Sequence, residues 1–513
     1  MTAHARQIAK DASVVGAATL LSRVLGFARD VIVAAVLGAG PAADAFYVAY
    51  RLPNTLRRLF AEGSMTMAFV PVFSDIRGKQ GDEAAFAMTR SALVWLLGIL
   101  GVVTALALAL ARPLTLAIAP GFADDPALMA LTVDLVRIVF PYIIQISVVA
   151  LCMGALNSMG HFLAPALATS ELNTVIILGC GVAWLFGLDV PQTLAWSVLV
   201  GGLGQMLMQQ PALKRFGFSW LGPWKLLDEG VLRMGRLMLP TVFGAAIYQV
   251  NILVGTLLAS FLAAGSISAL YYADRLVQFP LGVFGVAVGT VALPSLARLA
   301  ASGDMDEFGR ALSASLRLTL FICLPATAGL MALADPMVTA LFGRGAFTPE
   351  AQRATSAALL AYAVGLPAFA CVRPLVSAFY ALHDTRTPVR AGFWSMLANV
   401  ALGASLMFPL DLAGLALATS LSSWLNVWLL ARDLRARLGR GPVLGRTTAV
   451  SAMLSLLVGL GAWLVPAGVY GSLALIAVWA GGYMLAAALL KVEEALLLTD
   501  FLKRRLTGRR GRT

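Results

Sequence analysis

Residues 22–30 read SRVLGFARD and lie inside an apolar stretch that runs from about Ala12 to Gly38. Arg23, Arg29 and Asp30 are therefore charges in a segment long enough to cross a membrane, where each costs about 2.5–3.5 kcal/mol at the bilayer centre. The next apolar stretch carries Asp44, Arg51, Arg57, Arg58 and Glu62; Asp274, Arg275 and Arg373 follow in later ones. Arg23 and Asp30, seven residues apart, share a helical stripe, and Asp44, Arg51 and Arg58 share another. Pro53 and Asn54 interrupt the second stretch, where proline removes one backbone hydrogen bond. Such groups face one another or water, not lipid. Arginine outnumbers the acids and does not shed its proton, so internal pairing leaves positive charge. An uncompensated cation in a dry bundle is strongly destabilising. A hydrated cavity with an anionic ligand resolves the conflict, and the guanidinium fork suits phosphate.

A blander reading stands beside this for single residues. Arg57 and Arg58 can snorkel to an interface, and Arg23 with Asp30 can be a structural pair. Asp44, Glu62 and Asp274 serve either a proton relay or as counter-charges, and the spacing does not choose. Other chemistry is excluded more firmly. His4, His161 and His383 are far apart with no HExxH, so no catalytic zinc or other metal site is expected. Cys152, Cys180, Cys323 and Cys371 form no CxxC and read as packing thiols. No GxxxxGK[ST] occurs, so no ATPase site and no cofactor are expected.

The elements that position these residues are membrane helices. The chain has 513 residues, 59% of them hydrophobic and 12% charged, with mean hydropathy +0.84. Soluble domains are about half apolar and a quarter charged. The fold class expected is an all-α polytopic membrane protein of fourteen spans: about 12–38, 43–74, 91–111, 128–157, 163–187, 191–210, 235–261, 267–297, 311–333, 353–382, 388–408, 411–431, 447–466 and 470–490. The first is too long and too charged for a cleaved signal peptide, and no A-x-A site follows it. Lys and Arg concentrate in alternate loops: Arg77, Lys79 and Arg90; Lys214, Arg215, Lys225 and Arg233; Arg298 and Arg310; Arg386 and Arg390; Arg432 to Arg446. The loops GAGPAAD, LAAGSIS and VPAG have none. That alternation predicts cytoplasmic termini. It also accounts for most of the net charge of +12 without a nucleic-acid partner, and points to membrane phospholipids.

Span 2 matches span 8 at a constant offset, pairing Ala45 with Ala269, Tyr47 with Tyr271, Ala49 with Ala273, Arg51 with Arg275 and Leu52 with Leu276. Six spans separate the copies, so both enter the membrane in the same direction, as in parallel-repeat transporters. The expected organisation is an N-terminal six-helix lobe (1–210), a cytoplasmic linker (211–234), a second six-helix lobe (235–432), two extra spans (433–490) and a basic cytoplasmic tail (491–513).

Taken together, SRVLGFARD, DAFYVAYRLPNTLRRLFAEGSMTMAFVP (44–71), APGF (119–122), YYADRLVQFPLGVFGVAVGTVALPSL (271–296) and TPVR (387–390) closely resemble the MurJ (MviN) family of lipid II flippases, in the multidrug/oligosaccharidyl-lipid/polysaccharide exporter superfamily. The resemblance runs over essentially the whole chain. It implies movement of undecaprenyl-diphosphate-linked disaccharide-pentapeptide from the inner to the outer leaflet of the bacterial cytoplasmic membrane, by alternating access. It implies a cationic cavity with Arg23, Arg29, Arg57, Arg275, Asp44 and Asn54 as substrate-binding residues. Ser22, Asp30, Arg51, Arg58, Glu62, Asp274 and Arg373 are expected to gate or support them. Where the family has lysine before LPN, this chain has Arg51. Spans 13 and 14, almost uncharged, suit a groove for the polyprenyl tail. A monomer is expected, in contact with cell-wall synthesis proteins and driven by the membrane potential or by a coupling ion, H+ or Na+.

Three rival readings are distinguishable. The nearest is a sister exporter of another polyprenyl-linked oligosaccharide. A drug/cation antiporter needs an acidic or aromatic cavity, which the arginine excess opposes. A membrane glycosyltransferase needs acidic catalytic residues in a sizeable outer loop, whereas 112–127 and 334–352 are short and carry only Asp124, Asp125, Asp335 and Glu350.

Overall fold

Runs of Ala, Leu, Val and Gly with few charges leave the backbone one economical way to satisfy its polar groups in lipid, the α-helix. A computed structural model describes residues 3–59, 65–282, 286–439, 441, 445–465, 468–497 and 499. Among these residues no strand occurs. The helices are α1 (Ala3–Leu37), α2 (Pro41–Arg57), α3 (Met65–Gln80), α4 (Asp82–Ala109), α5 (Ala111–Ile118), α6 (Pro126–Val139), α7 (Tyr142–Ser158), α8 (Leu163–Phe186), α9 (Val190–Arg215), α10 (Glu229–Ala259), α11 (Ser266–Pro280), α12 (Val286–Ser302), α13 (Met305–Ala332), α14 (Ala334–Phe342), α15 (Pro349–Ala363), α16 (Leu366–Ala381), α17 (Arg386–Leu438), α18 (Gly445–Leu464) and α19 (Gly468–Leu489). Their starts are marked in the sequence. Asp125 accepts hydrogen bonds from the amides of Ala127 and Leu128 with Pro126 in the first turn, and Asp189, Asp228 and Asp304 cap α9, α10 and α13 in the same way.

Several expected spans are two helices. Span 4 breaks at Phe140–Pro141, span 10 bends by 42° between α15 and α16, and α17 holds spans 11 and 12 around a single non-helical residue, Asp411. In spans 2 and 8 the helix widens to a π turn, at Arg58–Leu59 and at Leu281–Gly282. These breaks obey the repeat. Val139 and Ala363 end α6 and α15, Tyr142 and Leu366 begin α7 and α16, and both pairs are 224 residues apart, as Asp44 and Ser268 are. Among the described residues, six helices suit a full crossing by length and composition, and seven if the bent pair is one span.

Two compact units divide the chain: Met1–Ser268 with Arg344–Thr348, and Ala269–Gly343 with Pro349–Thr513. In the first, α8 packs on α1 and α9, α7 on α3 and α9, α2 on α6, and α10 on α3, α4 and α5. Its core gathers Phe69, Phe73, Phe86, Leu151, Leu156 and Phe218. In the second, α17 packs on α15 and α16, α13 on α16 and α18, and α19 on α14 and α18. The expected lobe boundary at 210–235 follows the repeat, whereas this division follows packing.

Candidate functional site

The first unit holds most of the charges singled out above. On α1, Arg29 directs its Nε and Nη2 to Asp30 Oδ1, at 3.0 and 2.6 Å, and its Nη1 to Asn173 Oδ1 on α8, at 3.0 Å. Asn173 Nδ2 in turn donates to the Ser22 carbonyl oxygen at 3.3 Å. The Arg29 side chain is only 11% exposed. Its charge is thus held by an ion pair and an amide between two predominantly apolar helices. Asp30 pairs with its neighbour Arg29, while Arg23 is exposed and makes no polar contact among the described residues.

On α2, the stripe of Asp44 and Arg51 faces the segment that closes α10 and opens α11. Asp44 is buried and takes three hydrogen bonds: from the Gly265 amide at 2.7 Å, the Ser268 amide at 2.8 Å and Ser268 Oγ at 2.7 Å. A carboxylate there satisfies first-turn amides of α11 and meets the positive end of its dipole. Gly265 sits at φ +95°, a backbone that favours glycine. Arg51 Nη1 donates to Thr256 Oγ1 on α10. Pro53 does not end α2; the helix continues to Arg57, whose Nε donates to Asn54 Oδ1 at 3.0 Å. The Arg58 amide donates to the Asn54 and Thr55 carbonyl oxygens. Glu62 lies outside the described residues.

The second unit carries Asp274, Arg275 and Arg373. Arg275 Cζ stands 4.9 Å above the Tyr271 ring, and Nη2 donates to the Tyr271 hydroxyl at 2.8 Å. Gln278 Nε2 lies 3.5 Å from Asp274 Oδ1. Arg51 and Arg275 are equivalent in the repeat yet differ in partner, one reaching Thr256 and the other stacking on its own helix. Arg373, on α16, is exposed. Among the described residues no group of His, Cys, Asp and Glu could hold a metal ion.

Sequence reasoning passed over the neutral partners Asn173, Thr256, Ser268 and Tyr271. It also passed over Glu171, a charge within apolar α8 whose carboxylate packs against Gly204 of α9. The criterion that found Arg29 applies to Glu171 unchanged.

A family model described as "Lipid II flippase MurJ" matches residues 33–485. The chain belongs to this family. A "Probable lipid II flippase MurJ" of Vibrio cholerae serotype O1 is 41% identical over 443 residues, covering 84% of this chain and 83% of the relative. The "Lipid II flippase MurJ" of Burkholderia cenocepacia is 37% identical over 428 residues, covering 82% of each. Among solved structures, a lipid II flippase MurJ in an inward closed conformation superposes with TM-score 0.77 at 26% identity, covering 96% of this chain and 99% of that one. An inward-facing multidrug resistance MATE family transporter of the MOP superfamily shares the fold, with TM-score 0.69 at 13% identity over 81% of this chain and 94% of its own. The protein is an all-helical, multi-pass membrane transporter and not an enzyme, so the glycosyltransferase reading falls.

Proposed function

We propose that this chain is a lipid II flippase of the bacterial cytoplasmic membrane. It moves undecaprenyl-diphosphate-linked disaccharide-pentapeptide from the inner to the outer leaflet by alternating access, for peptidoglycan synthesis. The observation that carries the reading is Arg29, largely withdrawn from solvent on a predominantly apolar helix and held by Asp30 and Asn173, in a chain of this family. A side chain so expensive to place is tolerated where it works on an anion. Arg29, Arg23, Arg57 and Arg275 bind the diphosphate, and Asp44, Asn54 and the remaining acids tune or gate access. The fourteen-span arrangement, two six-helix lobes followed by a tail groove at spans 13 and 14, belongs to this proposal. So do cytoplasmic termini, a monomeric state and contacts with cell-wall synthesis proteins. The membrane potential or a coupling ion, H+ or Na+, biases the two states, since 100 mV supplies about 2.3 kcal/mol per charge moved.

The test is leaflet accessibility of lipid II in cells depleted of their own flippase and expressing this chain. An enzyme added outside cleaves only lipid II that has reached the outer leaflet. Expected is restored cleavage with the parent and its loss with Arg29→Ala at matched membrane abundance. No restoration by a well-inserted parent overturns the reading and moves a sister exporter of another polyprenyl-linked oligosaccharide to the front.

A further inference from the structure

Asp433 near the end of α17 holds two arginines at once. Arg390 Nη2 donates to Oδ2 at 2.7 Å, and Arg432 donates to Oδ1 through Nη2 at 2.9 Å and Nε at 3.1 Å. Two guanidiniums on one carboxylate leave one positive charge, and both side chains are more than half exposed. One helical turn deeper on each half of α17 stands a tryptophan: Trp394 after Arg390 and Trp428 before Arg432, 55% and 56% exposed. Arg432 Cζ lies 5.2 Å from the Trp428 ring centroid, which orients the guanidinium by cation–π attraction. The nearby pair Arg437–Asp384 is different. It is one cation to one anion, shared with Thr387 and backed by the Phe379 ring. Asp75 also holds two cations, Lys79 and Arg233, but no comparable pair of exposed indole rings lies a turn away on its helix.

A phospholipid meets a protein in this order: phosphate outermost, then the glycerol and carbonyl layer where tryptophan partitions, then acyl chains. We infer that Arg390, Arg432, Trp394 and Trp428 form a site for an anionic glycerophospholipid of the phosphatidylglycerol type, its phosphate on the guanidiniums and its glycerol region on the two indoles. Guanidinium forks recognise phosphate oxygens, and basic positions at the membrane surface attract anionic headgroups. Free phosphate uses the arginines alone, so the exposed indoles favour a lipid. The inference concerns α17 by itself and stands or falls apart from the flippase reading.

The experiment is native mass spectrometry of the full chain in detergent, titrated with phosphatidylglycerol, with phosphatidylcholine and with inorganic phosphate. About 1 kcal/mol per basic residue corresponds to about fivefold in affinity. Expected for Arg390→Gln with Arg432→Gln is therefore a roughly 25-fold loss of phosphatidylglycerol affinity, with phosphatidylcholine unchanged. Arg435→Gln, an exposed cation on the same helix, serves as the control and is expected to change little. Trp394→Leu with Trp428→Leu should weaken phosphatidylglycerol and leave phosphate binding intact. Asp433→Asn, which removes the internal competitor, should tighten phosphatidylglycerol. Parent-like affinity in the double arginine variant overturns the site. Equal loss with Arg435→Gln reduces it to diffuse surface charge, and insensitivity to the tryptophans makes it a phosphate site, either result also overturning the lipid assignment.

Discussion

Asp44 spends both carboxylate oxygens on one short turn, and its burial makes each of those bonds costly to lose. Asp44→Asn turns one acceptor into a donor facing an amide that also donates. A buried donor left without an acceptor costs about 1–3 kcal/mol, so the purified variant should unfold at lower temperature, and Ser268→Ala should show a smaller drop. Arg29 makes a sharper case, because its fork serves Asp30 and Asn173 together. Lysine keeps the charge but offers no planar fork. Arg29→Lys is expected to keep membrane abundance and lose most lipid II exposure at the outer leaflet, with Asn173→Ala intermediate. The charged half of this cluster was legible because a charge in an apolar segment is rare. Asn173, Thr256 and Ser268 were not, because neutral polar residues are common in membrane helices and reveal themselves only by what they touch.

Helices are anchored where they leave the apolar layer. Arg90, buried at the head of α4, holds the segment after α9 by its carbonyls, at 3.0 Å from Ser219 O and 2.9 Å from Pro223 O, and pairs with Glu83 at 2.5 Å. Ser91 Oγ accepts from the Lys225 amide, and Trp95 Nε1 donates to Leu226 O. Arg90→Ala should therefore speed amide hydrogen exchange over 219–226 far more than elsewhere, at a stability cost of about 1–3 kcal/mol. At the ends of α17, burial pushes the Asp384 and Asp433 carboxyls up, but stronger partners win and hold both below the usual range: Thr387, the Arg386 amide and Arg437 for one, Arg432 and Arg390 for the other. A carboxyl lowered in the folded state contributes its full stabilisation above its unfolded value, about 3.9, and loses it as pH falls through the lowered one. Thermal stability should thus be insensitive to these groups from about pH 7 to 5 and fall in more acid solution. Asp384→Asn and Asp433→Asn should each flatten that fall. Element positions were largely legible from hydropathy, but the breaks in spans 4 and 10 were not. A gap of two residues between apolar flanks, as at Phe140–Pro141 or Val364–Gly365, barely alters composition while redirecting the chain.

Over the whole molecule, the repeat carries more than the residue matches in spans 2 and 8 promised. The ends of α6 and α15, and the starts of α7 and α16, keep its offset although their sequences do not reveal it. Backbone geometry outlasts side-chain identity because a break needs only a few permissive residues. A transporter built this way switches between states of similar energy, and any net charge carried across the membrane makes the switch voltage-sensitive. For one charge, 100 mV corresponds to about 2.3 kcal/mol, near fiftyfold in the equilibrium. In vesicles whose potential is set by potassium gradients and valinomycin, lipid II translocation should rise or fall by that order across 100 mV if the potential is the driver, and stay flat if an ion gradient is.

Asp411 is the one non-helical residue inside α17, at φ 52° and ψ −138°. The two halves fold back on each other there: Ser395 Oγ donates to Ser422 O at 2.6 Å, and Arg390 meets Asp433. Across the hairpin the Ser395 hydroxyl and the Ser422 carbonyl oxygen satisfy each other, so neither has to be met by lipid. A single residue thus does the work of a loop between the two halves. That end of the hairpin consequently presents no flexible segment to a protease, an antibody or an inserted tag.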